Sequence, residues 1–317
     1  MFELATKKIL QIEPTTACAL ECPQCARYYD NEINPLMTSA ELSLADIKRL
    51  CPVEWVKQLE KMFLCGNYGE PAAAKECLDI FRWFKEINPD IVLGINTSGS
   101  LRSRTWWHEL ASILSGQFDY AVFSIDGLED TNHIYRRNSN WKKIIGNAQA
   151  FIKAGGSAHW DMLVYDYNKH QIGQAEQLAR DLGFTWFRTK YTDRPVTQKI
   201  QWLTKVDQDS VAITSGPIEC HYETTGQAYL SATGEWFPCC YIGGKIEYPD
   251  CAGNELRAIF NSQNTTYEFD QLHTDPAWQS VWQSWNQTPL KVCRSSCTVT
   301  SGKPFALDKW RQEIQLR

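Results

Sequence analysis

The chain has 317 residues, with 37 acidic against 32 basic side chains, a formal charge of −5 and an apolar share of 43%. That mild balance excludes a basic nucleic-acid grip and a charge-driven disordered tail, and no apolar run is long enough to span a bilayer. With no signal peptide ahead of the first strand pattern, the twelve cysteines fit a reducing cytoplasm, where clustered thiols favour metal over disulfides.

In chain order, Ile9 to Glu13 reads as a first strand and leads into a cysteine-rich loop. Ser43 with Asp46 three residues on is a capping box that opens a helix. Leu59 to Leu64 is a second strand, followed by a helix with Cys77, Ile80, Phe84 and Ile87 on one face and Pro89 as its stop. Ile91 to Ile95 is a third strand, and Trp106, Leu110, Ile113 and Leu114 mark the next helix. Tyr120 to Ile125 is a fourth strand, and a stripe from Trp141 to Ile152 ends at Gly155 and Gly156. His159 to Val164 is a fifth strand; Asn168 reads as the N-cap of a helix carrying Ile172, Ala175, Ala179 and Leu182, with Gly183 as its C-terminal stop. Phe184 to Thr189 is a sixth strand.

Six βα units imply a parallel sheet with right-handed crossovers, too few for a closed eight-stranded barrel. The expected fold is therefore α/β, a partial (β/α)6 TIM-like barrel with a small C-terminal α+β domain. We expect the barrel over residues 1–195, a connector with one short helix over 196–219, and the second domain over 220–317. In the last, Ala228 to Ser231 and Glu235 to Phe237 read as a hairpin around Thr233-Gly234. Asp275-Pro276 opens a helix with Trp278, Val281, Trp282 and Trp285 on one face.

The chemistry concentrates in Cys18-Ala-Leu-Glu-Cys22-Pro-Gln-Cys25. Three thiolates at this spacing can hold three irons of a cubane and leave the fourth open. The alternatives are buried packing thiols and a zinc site, but structural zinc needs four ligands and the first histidine is His108. The loop resembles the signature of radical S-adenosylmethionine (SAM) enzymes, although Gln24 stands where many members carry an aromatic residue. The resemblance implies a [4Fe–4S] cluster on Cys18, Cys22 and Cys25 whose open iron binds SAM. It also implies reductive cleavage to a 5′-deoxyadenosyl radical that removes hydrogen from a substrate.

Further resemblances follow along the strand ends. Gly66-Asn67-Tyr68-Gly69-Glu70 is similar to the family's Gly-Gly-Glu element, which implies that Asn67, Gly69 and Glu70 meet the methionine moiety. Asn96-Thr97-Ser98-Gly99 resembles the family's Thr-Asn-Gly turn. Ser124, at the end of the fourth strand, matches a ribose or carboxylate contact. Arg136, ahead of Arg137, is the guanidinium expected on the carboxylate; the alternative for it is a surface pair with Glu129 or Asp130. Asp161, Arg188 and Lys190 face the substrate or form ordinary salt bridges.

Cys220, Cys239, Cys293 and Cys297 form a second set that can close a cubane or a zinc site. The pattern resembles the Twitch extension, the shorter relative of SPASM, and implies one auxiliary [4Fe–4S] cluster. Cys240 and Cys251 are alternates; Cys51, Cys65 and Cys77 read as packing residues.

The resulting expectation is a two-cluster radical SAM enzyme acting on a peptide, a protein side chain or a small molecule such as an alcohol. Its reductant would be of the flavodoxin or ferredoxin kind, with neither nucleic acid nor membrane as partner. No recognition domain precedes Ile9, which argues against a built-in leader-peptide reader. The competing classes are a non-catalytic two-cluster electron carrier, which has no use for the Gly66–Glu70 loop, and a zinc-binding module.

Overall fold

The computed structural model describes residues 4–192, 217–260, 269–298 and 311–317. The expected connector helix lies outside them. Six strands form in the anticipated order: β1 (Ile9–Ile12), β2 (Lys61–Leu64), β3 (Val92–Thr97), β4 (Tyr120–Ser124), β5 (Ala158–Val164) and β6 (Trp186–Tyr191). Each pairs in parallel with the next. Sequential order with parallel pairing is the mark of a partial (β/α)6 barrel, because right-handed crossovers put every helix on the outer face.

Period-two patterning gives each strand two jobs. Along β5, Ala158, Trp160, Met162 and Val164 are buried towards the helices, while His159, Asp161 and Leu163 lie on the opposite, lumen face. Helices α1 (Leu44–Leu50), α2 (Cys77–Ile87), α3 (Arg104–Ile113), α4 (Trp141–Lys153) and α5 (Ile172–Leu182) cover the outside. Between the layers Trp107, Phe123, Phe151, Trp160 and Phe184 pack ring against ring. Burial of each such side chain contributes about 1.5–3 kcal/mol.

The local signals explain most of the helix ends. Ser43 and Asp46 form the reciprocal capping box on α1. Gly183 ends α5 at φ 90°, a left-handed conformation that suits glycine. Asn168 is a correction. It makes no side-chain cap, and the helix opens instead through a 3-10 turn, Lys169–Gln171. The Asn168 amide accepts from the Tyr165 N–H at 2.7 Å and donates to the carbonyls of Asp126 (3.1 Å) and Leu163 (2.9 Å), so it ties β4 to β5.

The C-terminal hairpin forms as β7 (Gln227–Leu230) and β8 (Trp236–Phe237). Strand β7 also lies parallel against β1, and β9 (Arg311–Gln315) lies antiparallel on β6. Among the described residues a nine-stranded sheet results, in the order β8-β7-β1-β2-β3-β4-β5-β6-β9. Helices α6 (Cys251–Ile259), α7 (Pro276–Trp285) and α8 (Lys291–Cys297) follow the hairpin, and Asp275 caps α7 as the sequence implies. Among the described residues no helix is long and apolar enough to cross a membrane.

Candidate active site

The loop after β1 is anchored before its first cysteine. Thr16 N–H donates to Ala40 O at 2.9 Å, Ala40 N–H returns to Thr16 Oγ1 at 2.9 Å, and the Arg27 guanidinium donates to Thr16 O. Beyond it, Leu20 N–H donates to Cys18 Sγ at 3.4 Å, and Cys25 N–H closes a turn on Cys22 O at 3.1 Å. Burial, then the neighbouring Glu70, pushes the Cys18 thiol up to about 11. Burial pushes Cys25 up to about 12, with Cys22 and Cys18 adding to the effect. Cys22 also raises Cys18, so Cys18 and Cys25 both lie close enough to Cys22 to feel its charge.

The donor chemistry fits an iron–sulfur cluster: three soft thiols on one turn, with no histidine in the loop. Among the described residues no three Cys, His, Asp or Glu side chains converge as ligands of a single metal ion would. A mononuclear zinc site needs its sulfurs about 2.3 Å from one point. A cubane takes each thiolate on a different iron.

The loop after β2 is built around an acid to which the sequence motifs do not point. Glu13, 1% exposed, accepts from Tyr68 N–H (2.7 Å) and Gly69 N–H (3.0 Å) and from the Tyr229 hydroxyl (2.7 Å). Burial raises its pKa, opposed by those same donors. An acid at the buried end of the strand pattern Ile9 to Glu13 was the available signal. Gly69 has no room for a side chain, since a Cβ there would lie 1.7 Å from the Thr15 carbonyl oxygen. Glu70 is buried and accepts from Thr97 Oγ1 (2.6 Å) and Ser98 N–H (2.8 Å), which joins two of the predicted motifs. A carboxylate has about four acceptor sites, so these bonds leave capacity for a further donor.

Asn67 points elsewhere than expected. Its side-chain amide donates to Tyr229 Oη (2.9 Å) and the Cys240 carbonyl (3.0 Å), while its own carbonyl lies 3.9 Å from Cys25 Sγ. The amide thereby ties the loop after β2 to Tyr229 on β7 and to the Cys240 carbonyl beyond β8. Cys65 lies by Asn96, with Cys240 and Glu13 near it, and burial pushes its thiol up to about 12. Cys51 and Cys77 are fully buried in the core, as expected.

Ser124 and Arg136 line one cavity of about 120 Å³ together with Asp161, Arg188 and Lys190. Arg136 pairs with neither Glu129 nor Asp130. Its Nε donates to Asp126 Oδ2 at 2.7 Å, with Asp126 fully buried and Arg136 only 19% exposed. Asp126 is held in turn by Leu163 N–H at 2.7 Å. Arg136 also lies against Cys22, where its charge opposes the upward push of burial on that thiol. Arg137 is not among the lining residues. Tyr135 and Tyr165 pack with Leu20 and Cys22 as the apolar backing of the cysteine loop.

The second set comes together from three separate segments. Cys220, Cys239, Cys293 and Cys297 line a single small cavity, with Trp282 and Trp285 in its wall. Cys293 and Cys297 stand one turn apart on α8. Ile218 bridges to Thr298, and Glu219 N–H donates to Cys297 O at 2.9 Å, which brings Cys220 alongside. Burial pushes Cys293 up to about 11, opposed by the Trp285 indole N–H. That N–H is buried without an ordinary hydrogen-bond acceptor and suits a sulfur-rich ligand. Neither Cys240 nor Cys251 lines this cavity. Cys240 adjoins Tyr222 and Gln11 instead.

A family model described as the Radical SAM superfamily matches residues 12–179. No protein of curated function matches the chain. Among solved structures it is similar to Streptococcus suis SuiB bound to precursor peptide SuiA, at 15% identity and a TM-score of 0.54, over 90% of this chain and 66% of that one. It is also similar to native anSMEcpe with bound AdoMet, at 14% identity and a TM-score of 0.52, over 73% of this chain and 74% of that one. The chain thus spans just under two thirds of SuiB's length, and identities this low speak for the fold alone.

Proposed function

Since the chain belongs to the radical SAM superfamily and is a radical SAM enzyme, we propose that it carries two [4Fe–4S] clusters, the second of Twitch type, and oxidises or cross-links a peptide or protein side chain. The carrying observation is the convergence of Cys220, Cys239, Cys293 and Cys297 on one apolar cavity. Four thiolates on one cluster leave it no open corner, which favours electron transfer over substrate binding. When bound, the first cluster supplies reductive cleavage of SAM and with it the hydrogen-abstracting 5′-deoxyadenosyl radical.

The chain's own residues do the positioning. Glu13 holds the Tyr68 and Gly69 amides so that Gly69 presents backbone beside the cysteine loop. Arg136, braced by Asp126, stands beside Cys22 with donors for the methionine carboxylate. Ser124 lines the same cavity. The division into a barrel over 1–195 and an auxiliary domain over 220–317 belongs to this reading, as does a flavodoxin- or ferredoxin-type reductant.

A peptide substrate is favoured by the likeness in fold to SuiB, which has been solved with a precursor peptide. Alcohol oxidation on a small molecule is the alternative. Anaerobically reconstituted protein is expected to contain about eight irons per chain and to form 5′-deoxyadenosine with SAM and reductant. Cys293→Ala with Cys297→Ala should remove about four irons, and Cys18→Ala with Cys22→Ala and Cys25→Ala should abolish 5′-deoxyadenosine. Full iron retention in the first variant would exclude the second cluster.

A further inference from the structure

We infer that the Trp285 indole N–H, at the end of α7, is a hydrogen-bond donor to the sulfur of Cys293 and raises the one-electron reduction potential of the auxiliary cluster. The inference deepens the proposed function and rests on that reading for the cluster itself. Trp285 makes and breaks no covalent bond in it; the residue biases where one electron rests.

A buried indole N–H usually finds an acceptor. In this chain Trp55, Trp107 and Trp160 each donate to a backbone carbonyl, that of Lys7 (3.0 Å), Leu101 (3.0 Å) and Ile125 (2.9 Å). Trp285 Nε1 is buried too and has no such acceptor. The Trp236 N–H also lacks one, but Trp236 does not line the sulfur cavity, whereas Trp285 does. An indole nitrogen only donates, so what completes it must be an acceptor, and the acceptors on offer in this wall are sulfurs.

Two consecutive helices bring the pair together. Trp285 is the last residue of α7, Cys293 belongs to α8, and both line the cavity. The link between them is pinned: Gln287 N–H donates to Ser284 O at 3.0 Å, and Arg294 Nε to Pro289 O at 2.8 Å. The Trp285 ring rests on Trp282 at 6.2 Å between centroids, and Trp282 stacks on Trp278 at 5.9 Å, so the indole has a fixed seat. Burial pushes the Cys293 thiol up to about 11, and of the groups acting on it the Trp285 N–H is the one that works the other way. A donor that favours thiolate over thiol favours the more negative of any two states of that sulfur. Reduction of a thiolate-held cluster adds one negative charge, and hydrogen bonds to its sulfurs are among the levers on its potential.

The rest of the wall supplies little competing polarity. Ile218, Ile242 and Val281 are apolar, so a donor among them acts at low dielectric. Among the described residues Glu223 is the one acid that lines the cavity. Its Oε2 binds Lys7 Nζ at 3.0 Å, and its Oε1 is buried without a donor. That carboxylate works against reduction, and the Lys7 charge offsets it. Neither group changes when the indole N–H alone is removed, so Trp285→Phe isolates the donor.

The test uses the full chain, reconstituted anaerobically, in a Cys18→Ala, Cys22→Ala, Cys25→Ala parent that leaves the second cluster alone. Its midpoint is titrated with dithionite and followed by the paramagnetic signal of the reduced cluster. Trp285→Phe keeps a ring in the wall and should make reduction about tenfold less favourable, a midpoint lower by about 59 mV for one electron. A change below about twofold overturns the inference. So does a rise in midpoint, because water admitted by poorer packing would favour the reduced, more negative state. Pulsed electron paramagnetic resonance on protein with isotopically labelled indole nitrogen should show a nitrogen coupling that Trp282→Phe keeps and Trp285→Phe removes. Where Trp285→Phe does not hold its cluster, the coupling decides: kept in Trp282→Phe it supports the inference, and absent from the parent it overturns it. Iron content keeps the two readings apart. About four irons per chain in the parent with an unmoved midpoint sink only this inference. No iron in the parent, or zinc in its place, sinks the cluster reading and this inference with it.

Discussion

Asp161 on β5 and Arg188 on β6 face one another across a single register step and close a two-pronged ion pair, Nε to Oδ1 at 2.5 Å and Nη2 to Oδ2 at 2.9 Å. The pair is 27% and 18% exposed, neither a surface contact nor fully desolvated. Planar fork geometry makes it worth more than an exposed pair, and partial solvation keeps it below a buried one. Asp161→Asn should therefore cost about 1–3 kcal/mol, since Arg188 would lose its charged acceptor but not its access to water. Denaturant midpoints of the two proteins measure it, and a cost below about 0.5 kcal/mol would reduce the pair to surface decoration.

Asn67 separates a cofactor contact from a structural bridge. Its amide bonds Tyr229 and the Cys240 carbonyl. Asn67→Ala would leave that carbonyl without this donor, at about 1–3 kcal/mol in stability. SAM affinity should change less than threefold. The pattern of intact stability with tenfold weaker SAM binding would return Asn67 to the cofactor site.

Gly69 is required for room rather than for conformational freedom. A Cβ there meets the Thr15 carbonyl oxygen and carbon, at 1.7 Å and 2.6 Å, and backbone cannot swing aside as a flexible side chain can. Gly69→Ala must push the two loops apart, at a cost of about 1–3 kcal/mol or more. Because the same backbone flanks Cys18, the variant should also bind iron poorly at the first site. Reconstitution to wild-type iron content would show that the loops can separate without consequence.

The repeating parts of this molecule are legible in its sequence, and the reason is periodicity. Strand alternation in Ala158–Val164 and the helical stripe over Trp141–Lys153 each repeat a local signal several times, so single errors average out. The cysteine positions are legible because ligand chemistry restricts residue type. What stays hidden depends on long-range pairing. Glu13 cannot be linked to Tyr229, 216 positions away, without knowing that β7 joins β1. Arg136 cannot be matched with Asp126 rather than Asp130, because all three lie on one short stretch whose turn geometry decides the partner. Asn168 departs from its expected cap for a related reason. Asparagine before a helix is usually a cap, but the carbonyls of Asp126, just past β4, and of Leu163 on β5 claim its amide.

His159 gives the fold a predictable acid limb. Its ring is stacked on Tyr120 and lies edge-on to Trp186, with Lys61 and Arg188 as the nearby charges. Burial and those cations lower it from 6.5 to about 4 in the folded chain. Between those values the unfolded chain takes up a proton that the folded chain refuses. Stability contributed by neutral His159 is therefore complete above pH 6.5 and is lost progressively as pH falls towards 4, where the folded form begins to protonate too. A tenfold difference in proton affinity between folded and unfolded chain corresponds to about 1.4 kcal/mol, and partial solvation reduces it, so the loss between pH 7 and pH 5.5 should be about 1 kcal/mol. His159→Phe keeps a ring against Tyr120 and removes the titration. Its stability should fall less than the wild type's over that interval by about that amount, as read from denaturant midpoints at the two pH values. Only the difference in slope matters, because the phenyl ring changes absolute stability at every pH. Parallel curves for the two proteins would mean that His159 protonates in place, with Arg188 and Lys61 too far or too well solvated to oppose it.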